Sequence, residues 1–146
     1  MIYLEYERLR DRFRKTQELF NETLLEKEYI FSKTQPDAIR YDKECVKSSN
    51  CTNKLDEYVI EMDEKRIDER LSNLRQLLAD REKLLTLKED EIRKSYDKFD
   101  RIYCSRYIDG INPNRIAKML NYSKSQIYRM LGQIQETIRK DATRCD

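Results

Sequence analysis

The sequence predicts an all-α protein, in which a long N-terminal helical hairpin or coiled coil precedes a small C-terminal helix-turn-helix domain. Three observations predict it. Charged residues make up 40% of the chain and apolar ones 38%, with two Gly, two Pro and no Trp, a balance that favours long solvated helices over a sheet with many turns. Apolar residues recur at three-four spacing over long stretches free of Pro and Gly. Near the C-terminus, INPNRIAKMLNYSKSQIYRML at 111–131 reads as two short helices around a tight turn. The 146 residues amount to about one domain at ~150 residues per domain, though not necessarily one ball.

The first 31 residues carry Ile2, Tyr6, Leu9, Phe13, Phe20 and Ile30 on helical spacing, with Thr16, Thr23 and Lys27 as weaker members of the same seam. Aromatics this bulky suit a broad helical surface better than a two-stranded zipper. Such a stripe reads as core, not as a ligand site. From Ser32 to Asn53 the periodicity disappears, and 22 residues containing Pro36 and many Ser, Thr and Asn read as a connector, to which no chemistry is assigned.

Asn53 is a candidate cap for the next helix, and no Pro or Gly follows until Gly110. A seam of Ile60, Glu64, Ile67, Leu71, Leu74, Leu78, Arg81, Leu85, Lys88, Ile92, Ser95, Phe99 and Ile102 is apolar at nine of thirteen places. One helix from Lys54 to Arg93 would reach about 60 Å at ~1.5 Å per residue. Its stripe needs the N-terminal helix, a second chain, or both. Ser95 is a candidate cap for a separate helix from Tyr96, which would stop at Gly110. The expected division is therefore 1–94, a helical oligomerisation region with its loop at 32–53, and 95–146, a DNA-binding domain whose polar tail after Lys140 frays.

Within that second part, Asn112 can cap a helix and Pro113 suits its first position, where the missing N–H has no partner to lose. Ile116, Ala117 and Leu120 give it an inward face, and Ala117 lets a second helix pass close. Asn121 tolerates the left-handed backbone a sharp turn requires, and Tyr122 can plug the corner. Ser123 caps the following helix, whose Ile127, Met130 and Leu131 point inward. A step of ~100° per residue then puts Ser125, Arg129 and Gly132 outward, flanked by Gln126 and Tyr128. This is the expected recognition helix. Its DNA-binding residues are Ser123, Lys124, Ser125, Gln126, Tyr128 and Arg129: Lys124 and the Ser123 end of the helix meet phosphate, and the fork of Arg129 matches the O6 and N7 acceptors of guanine. The bland alternative is a packed helical corner, but agreement of both caps, the small residue, the turn and the inward set favours DNA.

Charge supports double-stranded DNA as the partner. Residues 111–146 hold seven Lys/Arg against three Asp/Glu, a net +4, which leaves −2 for the remainder of a chain of net charge +2. That surplus is modest for one copy, so a homodimer or small homo-oligomer is expected. Cys45, Cys51, Cys104 and Cys145 lack CxxC spacing and the chain has no His, so no metal site and no cofactor are expected, and free thiols are expected in place of a Cys45–Cys51 bridge. No apolar run approaches the ~20 residues that span a bilayer, which points to a soluble cytoplasmic protein with no membrane partner. Without His, a phosphate-cradling Gly-rich loop or metal-ligand spacing, enzyme activity is not expected.

With RYIDG at 106–110, IAKMLNYSKSQIYR at 116–129 and PDAIRYDKECVKSS ahead of a charged coil, the chain resembles the ArpU/RinA-type transcription regulators of phages and prophages of Gram-positive bacteria. Its C-terminal part is also similar to sigma-factor region four. The resemblance implies control of late phage genes by binding upstream of them in the bacterial host cytoplasm, with RNA polymerase as a further partner. Arg115 departs from the acid common in the first motif helix of sigma-like proteins, and Asn112-Pro113 from the usual Ser or Thr start. Two other classes share the layout: a small terminase subunit, which would form rings of eight or more chains, and a coiled-coil adaptor indifferent to loss of Lys124 and Arg129.

Overall fold

A computed structural model describes residues 1–34 and 54–143. Most of the expected connector, the Cys45 and Cys51 pair and Cys145 lie outside the described residues. Every regular element among them is helical: α1 (Ile2–Thr34), α2 (Lys54–Lys65), α3 (Ile67–Lys94), α4 (Lys98–Tyr103), a π-helical turn (Cys104–Ile108), α5 (Pro113–Leu120) and α6 (Lys124–Ala142). The all-α class and the long N-terminal helix are as the periodicity predicts. The chain forms two compact units, one of residues 1–14 with 80–146 and one of residues 15–79.

In the unit of residues 15–79, α1 runs antiparallel to α3. Lys27 pairs with Asp68 at 2.7 Å and Glu26 with Arg70 at 3.3 Å, while the Arg75 guanidinium lies 5.8 Å from the centre of the Phe20 ring. The seam residues close inward: Ile30, Met62, Ile67 and Leu71 form a buried cluster against Phe20 and Leu24. Thr23, fully buried, satisfies its hydroxyl on the Leu19 carbonyl at 2.8 Å. Here the expected single helix from Lys54 to Arg93 is corrected. Arg66 adopts a left-handed φ of 46° and separates α2 from α3. Residues five apart on one helix diverge by about 140°, so a continuous helix would not bring Met62 and Ile67 to the same cluster. The break does so, and it leaves the expected seam residue Ile60 55% exposed.

In the unit of residues 1–14 and 80–146, the first turns of α1 pack with the end of α3 and with α4 to α6. Ile92, Ile102, Ile116, Ile127 and Ile134 are fully buried in a core shared with Tyr3, Tyr103, Ala117, Met130 and Leu131. Residues 95–146 therefore do not enclose their core alone, since Tyr3 and Ile92 complete it. The Tyr103 ring stacks on Tyr3 at 5.3 Å and on Tyr107 at 5.0 Å, and its hydroxyl donates to the Glu7 carboxylate. Two of the polar seam members have partners on α1: Lys88 pairs with Glu5 at 2.6 Å and Arg81 donates to the Arg12 carbonyl at 2.6 Å.

The joint between α3 and α4 falls where expected but is built differently. Asp97, not Ser95, caps the helix, accepting the Phe99 amide at 3.4 Å, and α4 starts at Lys98. The Ser95 hydroxyl turns instead to the buried Asp100 carboxylate, 2.9 Å away. Beyond α4 the chain widens into the π-helical turn and reverses at Gly110, whose φ of 68° suits glycine. Of the expected tail, α6 continues to Ala142, with both carboxylate oxygens of Asp141 accepting hydrogen bonds from Arg8, and residues 144–146 lie outside the described residues.

Candidate nucleic-acid interface

The two helices of the motif and their turn form as their caps dictate. Asn112 accepts the Asn114 amide at 3.0 Å, Pro113 occupies the first turn, and α5 buries Ile116 and Ala117. Asn121 takes φ 56° and ψ 41°, and the Tyr122 amide closes the turn on the Ala117 carbonyl at 2.9 Å. The Tyr122 side chain stays 36% exposed, so it covers the corner only in part.

Ser123 then starts α6 with a reciprocal cap. Its hydroxyl accepts the Gln126 amide at 3.2 Å, and its own amide donates to Gln126 Oε1 at 2.9 Å. This gives Gln126 a second occupation. Bidentate reading of adenine needs both ends of its side-chain amide, and one end already serves the cap.

Ile127, Met130, Leu131 and Ile134 bury one side of α6. Ser123, Lys124, Ser125, Gln126, Tyr128 and Arg129 are all exposed on its first two turns. Lys124 and Arg129 have no ion pair among the described residues. The same holds for Arg115 and Lys118 on α5, which charge counting over whole segments had not singled out. The signal for them is in the chain: residues 110–135 contain four cations and no Asp or Glu. Elsewhere cations are commonly neutralised, as in the pairs of Arg8 with Asp141, Lys27 with Asp68, Lys88 with Glu5 and Arg93 with Asp109.

Gly132 shares this exposed side of α6. A Cβ built there meets nothing within 4 Å, so no neighbour inside the chain requires glycine. Mid-helix glycine costs about 1 kcal/mol relative to alanine. Close approach by something outside the chain is a physical use for that cost.

Among the described residues no group of Cys, Asp and Glu is arranged to hold a metal, and no helix is long and apolar enough to cross a membrane. No family model matches the chain, and neither curated proteins nor solved structures give a match to it.

Proposed function

We propose that the protein is a sequence-specific DNA-binding regulator of phage or prophage genes, acting upstream of late genes as its resemblance to the ArpU/RinA-type regulators implies. The observation that carries the reading is the acid-free helix-turn-helix, with Lys124 and Arg129 exposed and unpaired on a helix whose other side is anchored by Ile127 and Ile134. An anchored helix offers a rigid edge to the major groove, and unpaired cations lose no internal partner on meeting phosphate. A packed corner would account for the buried side but not for the absence of any carboxylate from residues 110–135, which hold α5, the turn and the first three turns of α6. Binding in two or more copies supplies the affinity that a small surplus charge lacks. Exposed Leu25, Tyr29, Val59 and Ile60 are apolar surface that a second copy would cover.

Selection of bound fragments from the genome that encodes the protein tests the reading. Enrichment of one promoter-proximal region is the expected result. Enrichment of a packaging site by rings of eight or more chains would favour the terminase class, and no enrichment would end the DNA reading.

A further inference from the structure

Beside the turn of the motif lies a cavity of about 250 Å³ lined by Tyr96, Lys98, Arg101, Met119, Asn121 and Tyr122 among others. Its two charged lining residues, Lys98 and Arg101, are both positive. Lys98 and Arg101 are three residues apart and so share one side of α4. Neither forms an ion pair among the described residues, and Lys98 meets only the ring of Phe99, 5.2 Å from its centre. The two carboxylates beside them in sequence are hydrogen-bonded elsewhere: Asp97 caps α4, and Asp100 is buried with the Tyr3 amide and the Ser95 hydroxyl. Tyr96, 97% exposed, adds an aromatic ring that is almost wholly open to solvent. Two further lining residues, Asn121 and Tyr122, lead directly into Ser123, the cap of α6.

We infer that this cavity seats the sugar-phosphate backbone of the bound duplex next to the stretch that α6 enters, with Lys98 and Arg101 gripping phosphate and Tyr96 and Tyr122 against the sugar. The inference rests on the DNA reading above and extends it to a second element, α4. The volume is several times the ~30 Å³ share of one water, enough for a backbone unit and not only a bare ion. Two cations on one side of a helix, spaced by a turn, suit an extended polyanion. An acidic peptide would satisfy the same charges, but the cavity's continuity with the first turn of α6 favours the nucleic acid.

The test is fluorescence anisotropy with a labelled duplex of mixed sequence that extends beyond the motif on both sides, titrated across salt. Wild type, Lys98→Ala, Arg101→Ala, the double variant, Lys98→Arg and Lys124→Ala are compared on the full chain. Each alanine should weaken binding about three- to tenfold, alike on all sequences, and flatten the log-log salt slope by about one per charge removed. Lys98→Arg should bind as wild type does. Shortening the duplex at one end should weaken wild type and leave the double variant unchanged. If the double variant keeps wild-type affinity and slope while Lys124→Ala weakens, DNA binding stands and the cavity assignment falls. Loss of polyglutamate binding by that double variant, with duplex binding intact, would overturn it in favour of an acidic protein partner. Failure of wild type to bind any duplex would remove the DNA reading itself, and this inference with it.

Discussion

The buried Asp100 carboxylate caps a helix far ahead of it in the chain: its Oδ1 accepts the amide of Tyr3, 97 residues earlier, at 3.1 Å in the first turn of α1. The residue ahead of α1 is Met1, which has no side-chain oxygen to serve as a cap. Asp100 supplies one from another helix, and its negative charge faces the positive end of the α1 dipole. Its second oxygen holds Ser95 Oγ at 2.9 Å, so one side chain fixes both the start of α1 and the joint before α4.

Asp100→Ala should therefore destabilise the protein by about 2 to 4 kcal/mol, because it orphans the buried Tyr3 amide, at ~1 to 3 kcal/mol, and the half-buried Ser95 hydroxyl, at less. Asp100→Asn should lose less, since an amide oxygen can still accept from Tyr3. Urea unfolding followed by circular dichroism measures both. Equal loss in the two variants would show that the carboxylate acts through its charge and not through the Tyr3 hydrogen bond.

Gly132→Ala separates stability from function. Helix propensity predicts a gain of about 0.5 to 1 kcal/mol, and the open space around the position removes any steric objection. If a DNA backbone comes close to that point, the same substitution should weaken duplex binding while raising the unfolding midpoint. A stabilised variant with unaltered binding would place Gly132 outside the contact.

Alkaline pH should unfold the protein through its tyrosines. Burial, first of all, pushes the hydroxyls of Tyr3, Tyr6 and Tyr103 up, and for Tyr103 the facing Glu7 carboxylate adds to it. Each raised group is neutral when folded but ionises near its ordinary value of ~10 once unfolded. The stability it contributes is thus fully present below about pH 10 and is lost as pH climbs from there towards the folded value, at up to ~1.4 kcal/mol per pH unit for a fully buried ring. Urea midpoints across this range should fall, with tyrosinate absorbance rising together with unfolding. Tyr103→Phe should flatten the fall. An unchanged alkaline profile in that variant would acquit Tyr103.

The caps, the left-handed Asn121 and the inward set of α6 were legible in the chain because each is decided by residues within a few positions of one another. The seam of α1 and α3 was legible for a similar reason, periodicity, down to the minor members Thr16 and Thr23. What was not legible depended on distant partners. Nothing in EMDEKRIDER marks Arg66 as a break, since the left-handed residue is imposed by gathering Met62 and Ile67 around Ile30. Ser95 and Asp97 are both plausible caps by residue type, and the choice is made by Asp100, whose burial follows from α1. Tyr3 lay outside the expected seam because its place is set by stacking on Tyr103. In the candidate interface, the exposed residues follow from helical geometry, whereas the double duty of Gln126 and the cavity beside α4 emerge only in three dimensions.

The division of labour on α6 supplies the sharpest test of the DNA reading. Arg129 sits past the first turn, with a planar fork suited to the paired acceptors of guanine, whereas Lys124 stands at the helix start as a point charge. Arg129→Ala should cost about 1 to 3 kcal/mol on the preferred sequence and little on unrelated ones, compressing the preference, while Lys124→Ala should weaken every sequence alike and flatten the salt slope by about one. Arg129→Lys keeps the charge and removes the fork, so it should follow the alanine variant in preference but not in salt slope. Binding curves on a preferred and a scrambled duplex over a range of salt distinguish these outcomes. Should Arg129→Ala and Lys124→Ala lose equally on both duplexes, the guanine assignment falls and Arg129 becomes one more phosphate contact.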